Sequence, residues 1–298
     1  MTIIPFHDRD GHIWFDGAIV PWREAQIHVL THGLHYASCV FEGERIYNGV
    51  IFRSRDHALR LRRSAELLGF DIPYSVAQIE EAKREVCRVA GLTDGYLRPV
   101  AWRGSEMMGV AAQQNKIHLA IACWEWPSYF TPEARMQGIS LEIARWRRPA
   151  PDTAPTEAKA AGLYMICTLS KHEAERNGRQ DALMLDYRGY VAEATGANLF
   201  MVKDGVIHTP IPDCFLNGIT RQTVIELARR RGYTVLERHF MLDELAAATE
   251  IFLTGSAAEV TPVSRIGDWT YRPGDICRTL MADYSDLVNG RLVLAAVA

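Results

Sequence analysis

Lysine is scarce in this chain: of 33 basic side chains, five are lysines, Lys83, Lys116, Lys159, Lys171 and Lys203. Lys83 and Lys171 sit among charges on helix-like segments, Lys116 opens a strand, and Lys203 precedes an Asp-Gly turn. Lys159 differs, because Ala158, Ala160, Ala161 and Gly162 surround it and let other atoms come close. A lysine in a desolvated pocket has its pKa pulled down, which frees a neutral amine for Schiff-base chemistry. On this stretch alone, a surface lysine in a small-residue loop is the better reading. What decides between the two is whether other segments supply a carboxylate and an anion site.

Those segments can be picked out along the chain. Glu193 falls in a turn after a strand, within Glu193-Ala-Thr-Gly-Ala-Asn198. Gly218-Ile219-Thr220 opens a helix running to Arg231, and small residues with a hydroxyl at a helix N-terminus make a ready anion cup. A second cup follows the strand Ile251–Thr254 at Gly255-Ser256-Ala257-Ala258. Tyr96 and Arg98 alternate onto one face of a strand, where an arginine among apolar residues needs an anionic partner. His28, His32 and His35 are closely spaced, but no carboxylate completes a metal site, so they read as hydrogen-bonded structural histidines and no metal is expected.

The elements that must position these residues follow from local pattern. Asp16-Gly17 and Asn48-Gly49 mark hairpins, the second joining the run Val40–Tyr47 to Val50–Phe52. One helix follows with Ser54 as N-cap and Gly69 near its end; Arg60, Arg62 and Arg63 project from it, two of the three as a solvated basic face. A second helix opens on a capping box, Ser75 with Gln78. Strands follow at 96–102 and 117–126, then a Pro-flanked aromatic segment that reads as the connection between two α/β domains. Beyond it come a strand at 139–146, a helix from Tyr164 to Asn177, and two further hairpins at Arg188-Gly189 and Asp204-Gly205.

Composition narrows the class. Hydrophobic content of 48% with 23% charged residues fits a globular protein rather than a disordered one. A formal charge of −3 gives no reason to expect nucleic acid or an anionic membrane as partner, and no apolar run is long enough to span a bilayer. The six cysteines form no C-x-x-C pair, which reads as reduced thiols in a cytoplasmic protein. A Schiff-base lysine, a carboxylate for a pyridine nitrogen, and cups plus an arginine for a phosphate are the set that pyridoxal phosphate requires.

The motifs in combination closely resemble the branched-chain amino-acid aminotransferases of the fold-type IV pyridoxal-phosphate group. They are HxLHYxxxVFEGxR at 32–45, YLRP at 96–99, PTEAKAAGLY at 155–164, EATGANLF at 193–200, NGITR at 217–221 and TGSAAEVTPV at 254–263. The resemblance implies a mixed α/β fold: a small N-terminal domain (1–127), an interdomain loop (128–136) and a larger cofactor-binding domain (137–298) with a pseudo-barrel sheet, the cofactor lying at the domain interface. It assigns Lys159 as the Schiff-base lysine and proton carrier, Glu193 to the pyridine nitrogen and Tyr164 to the phenolic oxygen. Arg60, Ile219, Thr220 and Ser256 would hold the phosphate. Ser256 and Ala257 amides with Tyr96 would receive the substrate α-carboxylate. Tyr36, Phe41, Val110, Trp126 and Tyr129 would line the side-chain pocket, with Arg98 taking the distal carboxylate of glutamate or 2-oxoglutarate.

The implied reaction is transamination of L-leucine, L-isoleucine and L-valine with 2-oxoglutarate. The implied partners are amino acids, 2-oxo acids and further copies of the chain, as a homodimer or a larger assembly up to a hexamer. A D-amino-acid or (R)-amine aminotransferase would share Lys159 and Glu193, but Tyr36, Phe41 and Arg98 favour the L-branched-chain reading. A lyase acting on an aminated chorismate fits these pocket motifs less well, and a silent metabolite-binding protein would not keep every cofactor residue. Departures from the family pattern, Glu44, Glu106, Met107, Asn217 and Ser256, leave substrate breadth open.

Overall fold

The computed structural model describes residues 4–126 and 136–294, which group into two compact units. The first contains 4–126 together with Ala158–Gly162; the second contains 136–157 and 163–294. The Lys159 segment therefore groups with the N-terminal unit, where a continuous domain from 137 to 298 is the expectation from sequence. The reason is long-range backbone pairing: Val40 bridges Ala160, and Phe41 N donates to Lys159 O at 3.1 Å. Most of the expected interdomain loop, and Tyr129 with it, lies outside the described residues.

In the first unit, β1 (His12–Phe15) and β2 (Ala18–Pro21) form a hairpin. Its turn residues Asp16 and Gly17 have φ of +47° and +97°, the positive values that a two-residue turn requires. The run expected from Val40 to Tyr47 is split into β3 (Cys39–Phe41) and β4 (Glu44–Tyr47), and both pair with β6 (Gly95–Arg103). The interruption falls at Glu42-Gly43, where Glu42 N donates to Pro99 O (2.8 Å). With β5 (Val50–Ile51) and β7 (Ile117–Trp124), the sheet runs β2-β1-β7-β6-β4-β5 and is antiparallel throughout.

Alternation along β6 and β7 decides which side chains meet the helices. The short helix α1 (His32–Tyr36) lies against Trp102 on one side of the sheet, and on the other Leu97, Ala101, Leu119 and Ile121 enter a core with Leu61, Ala65, Ile79 and Val86 of α2 (Ser54–Leu67) and α3 (Val76–Ala90). Tyr96, Arg98, Val100 and Trp102 take the other face. The Ser75–Gln78 capping box opens α3 as expected. For α2, however, the N-cap is Arg53 in the left-handed region (φ +52°), and Ser54 is already helical. Arg62 is not a solvated charge either, since it donates to the carbonyls of Ile72 and Tyr74 and holds the chain that follows the helix.

Lys83 departs furthest from its expected setting. It is fully buried, 2.7 Å from the equally buried Glu44, and its Nζ also donates to Ser54 O at 3.0 Å. Lys83 faces inward from α3 just where β4 presents Glu44, so each charge neutralises the other. Burial pushes the Glu44 carboxyl up, against the opposing pull of Lys83 and His57.

The second unit is built on β8 (Ile139–Ile143), β9 (Asp181–Leu185), β10 (Val191–Ala194), β11 (Asn198–Lys203), β14 (Glu250–Gly255) and β15 (Glu259–Ile266). Their order is β10-β9-β8-β15-β14-β11, and the additional pairing of β10 with β11 closes them into a six-stranded ring, the pseudo-barrel expected. All six contribute to one apolar core, including Leu141, Leu183, Val191, Leu199, Leu253 and Val263. β12 (Val206–Thr209) and β13 (Val235–Glu237) extend the sheet from β11, and β16 (Trp269–Thr270) pairs with β15. The helices are α4 (Met165–Arg176), α5 (Ile219–Arg230) and α6 (Asp275–Val288). Among the described residues no helix is long and apolar enough to cross a membrane.

Lys83→Met would strand a buried carboxylate, with an expected loss of about 3–5 kcal/mol of unfolding free energy in urea. The double variant Lys83→Met/Glu44→Leu removes both charges and is expected to return close to wild type. A double variant as unstable as the single one would show that the pair does not act as a closed unit.

Candidate active site

In the first unit, α2 presents His57, Arg60 and Ser64 on one face, at i, i+3 and i+7. Each has a partner that the strands bring to it. Ser64 Oγ accepts a hydrogen bond from Lys159 N at 3.0 Å. His57 Nδ1 lies 2.7 Å from Glu42 Oε2, and Arg60 grips the same carboxylate through Nε (2.7 Å) and Nη2 (2.8 Å). Both backbone groups of Lys159 are thus fixed, N by Ser64 and O by Phe41, so its side chain leaves from a rigid base. Burial draws its amine down to about 8; Glu42 works against that pull and Arg60 with it. Burial also pushes the Glu42 carboxyl up, but Arg60 and His57 outweigh it and hold it well below the usual carboxylate range.

Phe41 links this lysine to the β6 residues. Lys159 Nζ and the Arg98 guanidinium carbon each lie 4.7 Å from its ring centroid. Arg98 Nη2 donates to Tyr96 Oη (3.2 Å), while its buried Nε has no hydrogen-bond partner among the described residues. Trp126 lies against Tyr96 with ring centroids 4.9 Å apart. Gly43 is what lets the Tyr96 hydroxyl in, because a Cβ at that position would collide with it. Phe41, Tyr96, Arg98, Trp126 and Lys159 therefore come together as one wall.

Tyr36 and Val110 do not share that enclosure: they are 45% and 82% exposed. Tyr36 packs on His32 (4.7 Å), whose Nε2 lies 3.0 Å from Gly109 O, so both residues belong to one open patch. His28 and His35 are likewise tied to nearby backbone, at Leu30 N and Val29 O. An apolar groove of about 410 Å³ runs over the sheet face opposite α2 and α3, lined by Phe15, Ile27, Leu34, Trp102 and Arg98 among others.

In the second unit, Glu193 stands within β10 rather than in a turn, directly opposite Asn198 of β11. Asn198 is the hub: its Nδ2 donates to Glu193 Oε2 (3.3 Å) and Leu216 O (2.9 Å), and its Oδ1 accepts from Gly218 N (3.2 Å). Gly218 caps α5, and an added Cβ there would strike that amide oxygen. The first helical residues, Ile219 and Thr220, are buried, so their amides lie in an enclosed corner. Thr254 is paired with Asn198 across the ladder, and its buried hydroxyl has no partner among the described residues. Ser256 and Ala257 occupy the turn that follows, where Gly255 packs close to Gly196 O.

Arg148 completes this half, with Nε 3.4 Å from Glu193 Oε1 and the side chain 4% exposed. Burial alone would lower its pKa, yet Glu193, Cys167 and the phenol of Tyr164 hold it above the ordinary value. Tyr164 itself ends the 3-10 turn Ala161–Tyr164 and leads into α4. A candidate cation cluster among the described residues, Asp186, Asp213 and Cys214, already carries Arg188 between its two carboxylates (2.8 and 2.9 Å).

Sequence reasoning missed Glu42, His57, Ser64, Arg148 and Asn198. Glu42 and Asn198 stand inside the motifs VFEGxR and EATGANLF, and His57 and Ser64 share helical spacing with Arg60, so each left a signal. Arg148 left none beyond a charge ahead of a Pro-rich loop.

Residues 39–266 match the family model for amino-transferase class IV. The branched-chain-amino-acid aminotransferase of Pseudomonas aeruginosa is 43% identical over 291 residues, 95% of each chain. Among solved structures, the branched-chain amino acid aminotransferase of T.th. with pyridoxamine 5'-phosphate is similar at a TM-score of 0.92 and 41% identity, covering 95% of this chain and 96% of that one. The Escherichia coli branched-chain amino acid aminotransferase is similar at 0.93 and 38% identity, covering 97% and 98%.

In protein stripped of small molecules, Lys159 should react with an amine-acylating reagent with a midpoint near pH 8. The ordinary lysine midpoint lies at about 10.4. Site-resolved mass spectrometry across the pH range reads it, and a Lys159 midpoint above about pH 10 would contradict its desolvated setting.

Proposed function

This chain belongs to the class IV aminotransferase family, and from that premise we propose that it transaminates L-leucine, L-isoleucine and L-valine with 2-oxoglutarate, giving branched-chain 2-oxo acids and L-glutamate. The observation that carries the reading is Phe41, an apolar ring with the Lys159 amine and the Arg98 guanidinium each 4.7 Å from its centroid. One wall then suits both half-reactions: the ring packs an isobutyl or isopropyl group, and the guanidinium takes a distal carboxylate. The D-amino-acid or (R)-amine alternative is not favoured, since the named relatives are branched-chain enzymes.

The cofactor is pyridoxal 5'-phosphate, which when bound supplies an electrophilic carbonyl and a ring that accepts an electron pair. The residues present fit it. Glu193, bracketed by Arg148 and Asn198, offers a fixed anion for the ring nitrogen. The start of α5, with no side-chain cap of its own, offers the amides of Ile219 and Thr220 to the phosphate, and the orphaned Thr254 hydroxyl stands beside that corner. Arg60 and Ser256 add donors for the phosphate, and Tyr164 a phenol for the cofactor's own phenolic oxygen. Ser256 and Ala257 amides, with the Tyr96 hydroxyl, orient the substrate α-carboxylate. Lys159 Nζ, drawn to about 8, is neutral often enough near physiological pH to take a proton from the substrate α-carbon and return it.

The chain works as a homodimer or larger assembly in this reading. Support comes from the open patch of Tyr36 and Val110 and the apolar groove on the sheet face opposite α2 and α3, which a second copy would cover. A reducing, cytoplasmic setting is supported by six free cysteines, with Cys87 and Cys123 adjacent yet unbonded. The net charge of −3 favours small-molecule partners over nucleic acid or an anionic membrane surface.

Purified protein should carry a visible absorbance that L-leucine or L-valine bleaches and 2-oxoglutarate restores; bleaching by D-alanine or an (R)-amine instead would overturn the substrate assignment. Lys159→Ala should lose turnover entirely. Arg98→Ala should cost about 10–100-fold in kcat/KM for glutamate, the size of a lost charge-assisted contact, and far less for leucine. Equal losses for the two substrates would count against Arg98 as the carboxylate's partner.

A further inference from the structure

The first unit buries a carboxylate to which the proposed reaction gives no task. Glu42 is fully buried and accepts from Arg60 Nε and Nη2 and from His57, itself 2% exposed. Burying an ionised carboxylate is unfavourable unless it is paired and hydrogen-bonded, and packing alone is served as well by an apolar side chain. Its surroundings are charged on every side. Arg60 and His57 approach from α2, and Lys159 from the 158–162 segment. From β4, Glu44 exerts a like charge that Lys83 of α3 neutralises. The Arg60 side chain is 19% exposed, and the two-point grip of Glu42 on Nε and Nη2 fixes the plane of its guanidinium. One helical turn on, Ser64 fixes Lys159 N, so a single face of α2 contacts both the carboxylate and the lysine segment.

We propose that Glu42, anchored by His57, is the positioning residue of this site: it locks the Arg60 guanidinium for the cofactor phosphate and sets the local charge that the Lys159 nitrogen experiences. This rests on the reading in which Arg60 binds the phosphate and Lys159 carries the cofactor. A fold-only role for Glu42 would leave cofactor affinity and the Lys159 titration unchanged when its charge is removed. A positioning role ties both to the one carboxylate. Glu42 favours the charged form of Lys159, so its removal must move the lysine's titration downward.

The test is Glu42→Gln, which keeps the shape and removes the charge. Pyridoxal 5'-phosphate is titrated into stripped wild-type and variant protein, and the visible band is then followed against pH, with circular dichroism to check the fold. Expected are a Kd about 10–100-fold weaker, as for loss of a charge-assisted two-point pair, and a band midpoint about one pH unit lower. A folded variant with wild-type Kd and midpoint, even with a lowered Tm, overturns the proposal and leaves the transamination reading intact. A wild-type protein that develops no band overturns that reading, and this inference with it. Should Glu42→Gln not fold, His57→Gln keeps the carboxylate and removes one anchor. A smaller shift of both readouts in the same direction then supports the proposal, and unchanged values overturn it.

Discussion

A lysine can work as a base and nucleophile only if something holds its backbone still while its amine stays dry. Here the holding is done by main chain: a bridge from Val40 to Ala160, a bond from Phe41 N to Lys159 O, and one from Lys159 N to Ser64 Oγ. None of these anchors uses the lysine's own amine. The small residues on either side are what allow two backbones to approach this closely. Once the segment is docked on the first unit, Phe41, Glu42 and the α2 face all acquire their relation to Lys159 from the strand and helix they belong to.

Glu193 is held by a different kind of constraint. A ring of six strands has no free edge within it, so the register of β10 against β9 and β11 cannot slip without disturbing every neighbour. Glu193 is opposite Asn198 because of that register, and Asn198 in turn reaches the cap of α5 through Gly218. Carboxylate and helix N-terminus are therefore coupled by a single amide side chain. An error in one strand's register would misplace both.

Charge is buried in this protein mainly where position matters. Lys83 with Glu44, Arg60 with Glu42 and Arg148 with Glu193 each set a cation against a carboxylate in low-exposure surroundings. Such pairs add little stability over apolar packing, but they fix direction, which apolar contacts do not. The patch of Tyr36 and Val110 shows the opposite logic, with apolar side chains left open.

Sequence by itself determined the hairpin turns, the Ser75 capping box and the glycine stop at Gly69, because each depends only on neighbours a few residues apart. It also pointed to Lys159, Glu193, Thr220 and Ser256, since scarcity, motif order and anion-cup composition are linear properties. It placed Glu193 in a turn, saw in Lys83 only a lysine among charges on a helix-like segment, and left Glu42 and Arg148 unremarked. Glu44 reaches Lys83 from a facing strand and His57 and Arg60 reach Glu42 across a helix–sheet contact, while Asn198, only five residues from Glu193, faces it because β10 and β11 pair to close the ring. Tertiary structure alone decided which buried charges meet, because a pairing between distant residues depends on register and packing that no local pattern encodes.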